Sequence, residues 1–260
     1  MIYFDKWSQI GSTHKENEDF AVIGDEENPF IIVSDGCSSS EDTSTGSRLL
    51  SLCVSECYKQ NPWHLPSIGF NSISRAFEIT KKLGLKNESL DATIMIADIC
   101  EDKVRVCIWG DGYVFLKYKD SSLFHVKTIE YTPEMPYYLS YITDNNRNAN
   151  YCKCVSNGEI HKIIDDDGNF YPVPVHVPTE FSFIKNDLEF IILSTDGAGS
   201  FIDSENNPIH QEDIENQITS FKRINGEFIQ RRMRRMMKMN AKEGIKHYDD
   251  LTIAGMSFVD

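Results

Sequence analysis

The stretch "DATIMIADICEDKVRVCIWGDGYVFLKYKD", from Asp91 to Asp120, decides the fold class. It holds three apolar, strand-like runs, which are broken by Glu101-Asp102 and by Gly110-Asp111-Gly112. Short acidic or glycine-containing breaks between apolar runs are typical of tight turns. The stretch therefore predicts consecutive strands joined as hairpins, which is the pattern of an antiparallel sheet.

The flanking sequence repeats this organisation in blocks. Upstream, "DFAVIGDEENPFIIVSDG" (19–36) predicts a hairpin with an acidic Asn-Pro turn, and apolar spacing predicts helices at 42–60, with Thr43 or Ser44 as the N-cap, and at about 72–83. Downstream, strand-like runs at 181–197 and 249–259 enclose predicted helices at about 211–221 and 227–242. Strands and helices segregated in this way predict an α+β fold with antiparallel sheets rather than alternating βαβ units.

A segment rich in Pro, Tyr and Asn separates these blocks, from Tyr131 to about Glu180. Its first part, "YTPEMPYYLSYITDNNRNAN", is a poor helix and a poor core strand, so we expect a long surface excursion. Connections of that length are usually functional or disordered. We interpret residues 1–260 as a single domain that carries this excursion.

Composition narrows the function. The chain has 260 residues, and 40 Asp and Glu against 26 Lys and Arg give a net charge of -14, which argues against nucleic-acid or membrane partners. An anionic substrate would need local positive charge, which metal ions supply. No apolar run approaches the roughly 18 residues of a spanning helix, and "MIYFDKWSQ" does not resemble a signal peptide. The seven irregularly spaced cysteines predict reduced thiols, so we expect a cytoplasmic protein.

Three carboxylates follow apolar runs and precede a glycine: Asp35, Asp111 and Asp196. Two acidic pairs, Glu18-Asp19 and Asp249-Asp250, lie directly before further strand-like runs. An unpaired carboxylate at the end of a core strand is costly, but Mg²⁺ and Mn²⁺ take oxygen ligands and would neutralise several of them. Any single Asp-Gly is more simply explained as a turn. The recurrence of the pattern predicts a shared metal site.

These motifs resemble those of the metal-dependent protein phosphatases of type 2C, and most closely a bacterial subgroup. That family carries Asn-Glu-Asp near its start, an Asp-Gly after the second strand, a Gly-Asp in mid-chain, a late Ser-Asp-Gly and a final Asp-Asn-x-Thr. The present chain has the corresponding motifs in the same order, spanning nearly its whole length: "NED" (17–19), "VSDG" (33–36), "WGDG" (109–112), "STDG" (194–197) and "YDDLT" (248–252).

The resemblance implies an α-β-β-α sandwich of two antiparallel sheets flanked by helices, with two Mn²⁺ or Mg²⁺ ions between the sheets. It implies hydrolysis of phosphoserine or phosphothreonine in a protein substrate by a hydroxide that bridges the ions. Asp35, Asp196 and Asp249 would be the catalytic metal ligands. Asp35 would bridge both ions, with the Gly36 carbonyl reaching one, and Asp196 and Asp249 would hold one ion. Glu18 or Asp19 would line the other ion, and Asp111 would help to place a third. The segment at about 131–180 would be the flap that shapes substrate access.

The chain departs from the family pattern near the expected substrate. His14 stands where many relatives have a phosphate-binding Arg, and Cys37 stands where animal members have a His that acts as general acid. An alternative is therefore a degenerate, non-catalytic module that binds metal or a phosphorylated partner. A two-metal phosphohydrolase that acts on small molecules is also open. Oligomeric state is not indicated.

The basic segment "RRMRRMMKMN" (231–240) stands apart from the carboxylate motifs. It is compatible with binding to acidic partners or nucleic acid. We favour the simpler interpretation, in which Met233, Met236 and Met237, together with Met239, pack on a sheet while the arginines stay solvated.

Overall fold

Two antiparallel β-sheets form the centre of the protein, in a computed structural model that describes residues 1–131, 135–155, 161–164, 170–173 and 176–258. One sheet has the strand order β1-β14-β11-β6-β7-β8-β9, and the other has β10-β5-β4-β3-β2. The strands are β1 Ile2–Gln9, β2 Phe20–Ile23, β3 Phe30–Ser34, β4 Ile94–Cys100, β5 Lys103–Trp109, β6 Gly112–Tyr118, β7 Phe124–Tyr131, β8 His161–Ile164, β9 Phe170–Val173, β10 Thr179–Ile184, β11 Leu188–Ser194, β12 Phe201–Ile202, β13 Lys246–His247 and β14 Leu251–Phe258.

Helices cover the outer faces of both sheets, so the predicted α+β sandwich is confirmed. The helices are α1 Thr43–Gln60, α2 Leu65–Leu83, α3 Asn145–Cys154, α4 Gln211–Thr219 and α5 Phe228–Lys242. Residues of α1 and α2 pack on the five-stranded sheet, and residues of α4 and α5 pack on the larger one. In the described part of the chain, no helix is both long enough and apolar enough to cross a membrane.

Strand β3 shows why the apolar runs lack polar alternation. Ile31 and Val33 belong to the core between the sheets, whereas Phe30 and Ile32 belong to the core beneath α1 and α2. All four side chains are at most 1% exposed. Because successive side chains point to opposite faces, a sheet that is covered on both sides needs a continuous apolar strand. For that reason, the strands of these antiparallel sheets are uninterrupted hydrophobic runs in the sequence.

The helix starts differ from the sequence expectation. Helix α2 begins at Leu65, seven residues before the expected start, where the His64 side chain accepts a hydrogen bond from the backbone N–H of Ser67. Neither Thr43 nor Ser44 caps α1. Their hydroxyls instead donate to carboxylates of the segment before β2, Thr43 to Glu18 at 2.6 Å and Ser44 to Glu16 at 3.0 Å. The serine and threonine at this helix start tie α1 to the predicted site.

The segment at about 131–180 is more ordered than its sequence suggests. It contains a 3₁₀ helix at Leu139–Thr143, helix α3, strands β8 and β9, and the start of β10. The expectation of poor helix is therefore wrong for residues 145–154. Helix α3 is held by a cluster of four tyrosines and one valine, which we call the aromatic cluster: Tyr131, Tyr137, Tyr141, Tyr151 and Val155. Residues 132–134, 156–160, 165–169, 174 and 175 lie outside the described structure.

Candidate metal and active site

Strand ends bring the predicted carboxylates to one end of the sandwich. Asp35 follows β3, Asp111 lies between β5 and β6, and Asp196 follows β11. Asp249 precedes β14 by two residues, and Asp19 directly precedes β2. Neighbouring antiparallel strands run in opposite directions, so a residue that follows one strand and a residue that precedes its neighbour lie at the same end of the sheet.

A cleft of about 1240 Å³ opens between these strand ends. Six of the eight predicted site residues line it: His14, Asp35, Gly36, Asp111, Asp196 and Asp249. Glu18 and Asp19 do not line the cleft, but Glu18 lies 3.7 Å from His14, which does, and Asp19 accepts a hydrogen bond from Thr195, which directly precedes the cleft residue Asp196. The structure thus brings together residues that are up to 235 positions apart along the chain, from His14 to Asp249.

The carboxylates of the cleft oppose each other's ionisation. Burial raises the pKa of Asp35 well above its ordinary value, and the charges of Asp19, Asp196 and Asp249 raise it further. Burial and Asp249 likewise raise the pKa of Asp196, to about 6. Burial and the charge of Asp196 raise that of Asp111. Like charges held in a partly desolvated cleft disfavour the ionised form, and a bound cation reverses this.

Two carboxylate oxygens in this group have no hydrogen-bond donor among the described residues. They are Oδ1 of Asp19 and Oδ1 of Asp196, and both are buried. The second oxygen of Asp19 accepts a 2.8 Å hydrogen bond from the hydroxyl of Thr195, which precedes Asp196. Buried acceptors without a donor are rare in folded proteins and require an explanation. A divalent cation with oxygen ligands fits both atoms.

Asp250 is a site residue that the sequence reasoning did not select. Its side chain is almost fully buried, and its two oxygens accept hydrogen bonds from the backbone N–H groups of Gly11, at 2.7 Å, and Glu18, at 2.6 Å. It therefore fastens the segment that carries Glu18 and Asp19 to the start of β14. Its pairing with Asp249 in the sequence was the available signal, but the sequence alone does not show which partner faces the cleft.

The backbone after Asp196 lies in direct contact with Asp250. A Cβ atom placed on Gly197 would be 1.8 Å from the carbonyl oxygen of Asp250. Only glycine permits that approach, because real Cβ contacts are never this short. The glycine of this Asp-Gly motif therefore fixes the separation between the two segments that carry Asp196 and Asp249.

His14 lies among carboxylates at the edge of the cleft. Its Nε2 is 3.3 Å from Oδ1 of Asp249, and its Nδ1 is 3.1 Å from Oδ2 of Asp250 and 3.7 Å from Oε2 of Glu18. Burial lowers the pKa of His14, but Asp250, Asp249 and Glu18 outweigh it, so that the pKa is raised overall. His14, Glu18 and Asp250 also form a compact group of possible metal ligands, whose ligand atoms lie within 4.8 Å of one another.

Residues of the predicted flap form one wall of the cleft, which we call the aromatic wall. Tyr131, Met135, Pro136 and Tyr138 from the predicted flap line it together with Cys37. The sequence predicted a role for this segment but did not identify these residues. Burial and the adjacent Cys37 raise the pKa of Tyr138, so its phenol stays protonated.

Asp91 ties this wall to the loop that follows Asp35. Its side chain accepts hydrogen bonds from Ser40 at 2.8 Å and Ser140 at 2.6 Å, and it pairs with Arg147 at 2.5 Å. Its backbone carbonyl accepts a hydrogen bond from the N–H of Cys37. One buried carboxylate thus connects the aromatic wall, α3 and the cleft.

Comparison with solved structures finds the same fold in bacterial phosphatases. The serine/threonine phosphatase Stp1 from Staphylococcus aureus is 11% identical, with a TM-score of 0.60, and the match covers 100% of this chain and 96% of Stp1. PppA of Pseudomonas aeruginosa, described as a key regulatory component of T6SS, is 12% identical with a TM-score of 0.58, covering 99% and 98%. The catalytic domain of the phosphatase PstP, solved in complex with two manganese ions, is 12% identical with a TM-score of 0.53, covering 100% and 99%.

Sequence comparison gives a family but no individual relative. No curated protein matches the chain in sequence. The model of the family described as "Protein phosphatase 2C" matches residues 11–248. This range includes Asp35, Asp111 and Asp196 and ends one residue before Asp249. With the two-sheet fold and the ordered carboxylate motifs, this match establishes that the chain belongs to the protein phosphatase 2C family.

Proposed function

We propose that the chain hydrolyses phosphoserine and phosphothreonine in proteins, using two divalent ions, Mn²⁺ or Mg²⁺, held by the carboxylates of the cleft. The observation that carries the proposal is the convergence of Asp35, Asp196 and Asp249 on one cleft, with buried carboxylate oxygens that lack a donor. Family membership supports the reaction class, since the family is one of protein phosphatases. A cytoplasmic location agrees with reduced cysteines and remains part of the proposal.

The proposed roles follow from position. Asp35, Asp196 and Asp249 line the cleft and would hold the ions, and Gly36 and Asp111, which also line it, would contribute a carbonyl and a carboxylate. Glu18 and Asp19 would complete the ligand set from below. When bound, a pair of divalent ions lowers the pKa of a shared water and so supplies a nucleophile at neutral pH. His14 is the candidate contact for the substrate phosphate, because its imidazole borders the cleft.

The residues of the chain would perform the remaining tasks. Thr195 and Asp250 hold Asp19 and the segment of Glu18 in place through the hydrogen bonds described above. The aromatic wall would exclude water from one side of the cleft, and Tyr138, which lines the cleft, would face the substrate. The flap assignment for about 131–180 is part of this proposal, and we infer that it selects the protein substrate.

Hydrolysis of an aryl phosphate and of a phosphoserine peptide, with and without Mn²⁺, tests the proposal. We expect metal-dependent turnover that falls roughly a thousandfold in Asp35→Asn and in Asp196→Asn, because metal ions contribute several kcal/mol to the barrier. Asp120→Asn is the matched control, since Asp120 also follows a strand but is exposed in a turn. Its activity should equal that of the wild type.

Three results would contradict the proposal in different ways. Binding of Mn²⁺ in calorimetry without turnover of either substrate would favour the non-catalytic binding module. Turnover of small phosphate esters without any of the phosphopeptide would favour a small-molecule phosphohydrolase. Full activity in the presence of EDTA would exclude the metal mechanism.

A further inference from the structure

A second concave site lies on the outer surface, between the loop that follows α4 and helix α5. Its volume is about 450 Å³, and none of its lining residues lines the acidic cleft. Five cationic side chains surround it; we call it the basic groove and define it by these residues: Lys222, Arg223, Arg231, Arg232 and Arg235. A concentration of positive charge on a chain of net charge -14 is unlike the composition of the rest of the protein.

The base of the groove is apolar and rigid. Phe228 is 1% exposed, and its ring meets that of Phe221 nearly edge-on, with centroids 5.2 Å apart. Phe221 packs in the same way on Phe190 of β11, at 5.3 Å. Edge-to-face aromatic pairs are held in place by their quadrupoles as well as by burial. Phe228 is buried beneath the groove, so the surface offered to a ligand side chain is the partly exposed ring of Phe221, which these two contacts hold in place.

The cations of the groove are not neutralised by the protein. Among the described residues, no carboxylate lies within 4.0 Å of any of the five. Two of the arginines donate hydrogen bonds to neutral oxygens: Arg231 donates to the carbonyl of Asn225 at 2.6 Å, and Arg232 donates to that of Gln217. These bonds fix the guanidinium positions and leave most of their N–H donors available.

The chemistry of the groove selects among polyanions. Nucleic acid and anionic membranes present extended negative charge, which would also meet the acidic remainder of the chain. A short acidic peptide segment would meet only the groove. A few carboxylates satisfy arginine donors in bidentate geometry, and one apolar side chain fills the space over Phe221.

We propose that the basic groove binds a short acidic segment of a partner protein, with an aromatic or aliphatic side chain placed on Phe221 and carboxylates facing Arg231, Arg232 and Arg235. The site does not depend on the chemistry of the cleft. It would hold a partner whether or not that partner is also the phosphorylated substrate.

Selection from a displayed library of random 12-residue peptides tests this proposal. The wild type and the variant Lys222→Glu/Arg235→Glu are panned in parallel, with Arg234→Glu/Lys238→Glu as the matched control. Both pairs are exposed cations, but Arg234 and Lys238 lie on α5 outside the groove. We expect the wild type and the control to enrich acidic peptides with one apolar anchor, and the groove variant to lose them.

The enriched peptide is then synthesised and its affinity measured by fluorescence anisotropy. We expect at least tenfold weaker binding to the groove variant than to the control, and weaker binding to both as salt rises. Hydrolysis of an aryl phosphate should be unchanged in all three proteins, so failure of the groove and failure of the cleft are distinguishable.

Several outcomes would overturn the proposal. The absence of an acidic consensus that depends on Lys222 and Arg235 would exclude the peptide site. Tighter groove-dependent binding of a 20-nucleotide single-stranded DNA than of any selected peptide would assign the groove to nucleic acid. A wild-type dimer in sedimentation that becomes monomeric in the groove variant would assign it to a second copy of this chain.

Discussion

The acidic cleft and the basic groove both concentrate charge of one sign, but they do so in opposite ways. The cleft buries its carboxylates and crowds backbone segments around them, so that the pKa values of Asp19, Asp35 and Asp196 are all raised. The groove carries its charges on long side chains, most of which are exposed to solvent. Concentrated charge is costly only where solvent is excluded, and the cleft is therefore the region that demands a counter-ion.

Backbone crowding should distinguish the two regions most strongly. Gly197→Ala in the cleft would place a methyl group 1.8 Å from the Asp250 carbonyl oxygen, so we expect the free energy of unfolding to fall by about 3 kcal/mol or more. Gly226→Ala beside the groove meets nothing nearer than Arg231 at 3.7 Å. The expected loss of about 1–2 kcal/mol therefore comes only from the positive φ of 54°, a backbone conformation that alanine adopts at a cost. Urea unfolding measures both, and equal losses would contradict the comparison.

Counter-ion demand should separate the regions next. Mn²⁺ at a hundred times its Kd should stabilise the wild type by about 2.7 kcal/mol, because it binds only the folded cleft. In EDTA, Asp35→Asn should be more stable than the wild type by about 1 kcal/mol, since it removes one of several repelling charges. It should also lose most of the response to Mn²⁺.

The control for this prediction is Asp120→Asn, whose unfolding should follow the wild type in EDTA and in Mn²⁺ alike. Thermal or urea unfolding in the two conditions provides the measurement. A wild type whose stability ignores Mn²⁺ would remove the distinction between cleft and groove.

Paired and unpaired arginines give the smallest expected effect. Arg147→Ala removes the partner of the buried Asp91 carboxylate and should cost about 2 kcal/mol, the scale of a hydrogen bond to a charged group. Arg235→Ala removes an exposed cation that has no carboxylate within 4.0 Å among the described residues, and should change stability by no more than about 0.5 kcal/mol. Urea unfolding of the two variants decides the matter, and a reversed order would show that the groove cations are structurally required.

The strand-end carboxylates could be predicted because two sequence signals coincide in them. Each apolar run must be a strand buried on both faces, and an acidic residue adjacent to it in the sequence must then lie at an end of that strand. The separation of the sheets and the orientation of each side chain are tertiary properties, so the sequence did not identify the buried role of Asp250. The relation between Asp19 and Thr195 was also hidden, because the two residues are 176 positions apart.

Helix α3 shows the opposite limit. Its sequence, "NNRNANYCKC", has few strong helix formers, and local propensity therefore disfavoured it. The side chain of Asp144 caps its first turn by accepting from the backbone N–H groups of Asn146 and Arg147. Tyr151 packs into the aromatic cluster, and Arg147 reaches Asp91. Contacts with distant residues thus override a weak local preference. The burial of Met233 and Met236 in α5 was predictable, because their spacing alone sets one face toward the sheet. The expectation that Met239 packs beside them is wrong, since its side chain is 46% exposed.

Asp91 has one further consequence for the cleft. Because it holds the Cys37 loop, Ser140 and Arg147 at once, we expect any movement of the tyrosine-rich segment to be coupled to movement of that loop. A phosphoprotein too bulky for the gap would have to displace the tyrosine-rich segment and the loop beside Asp35 in a single movement. The size of substrate admitted and the environment of Cys37 would then change together, through a carboxylate that does not itself line the cleft.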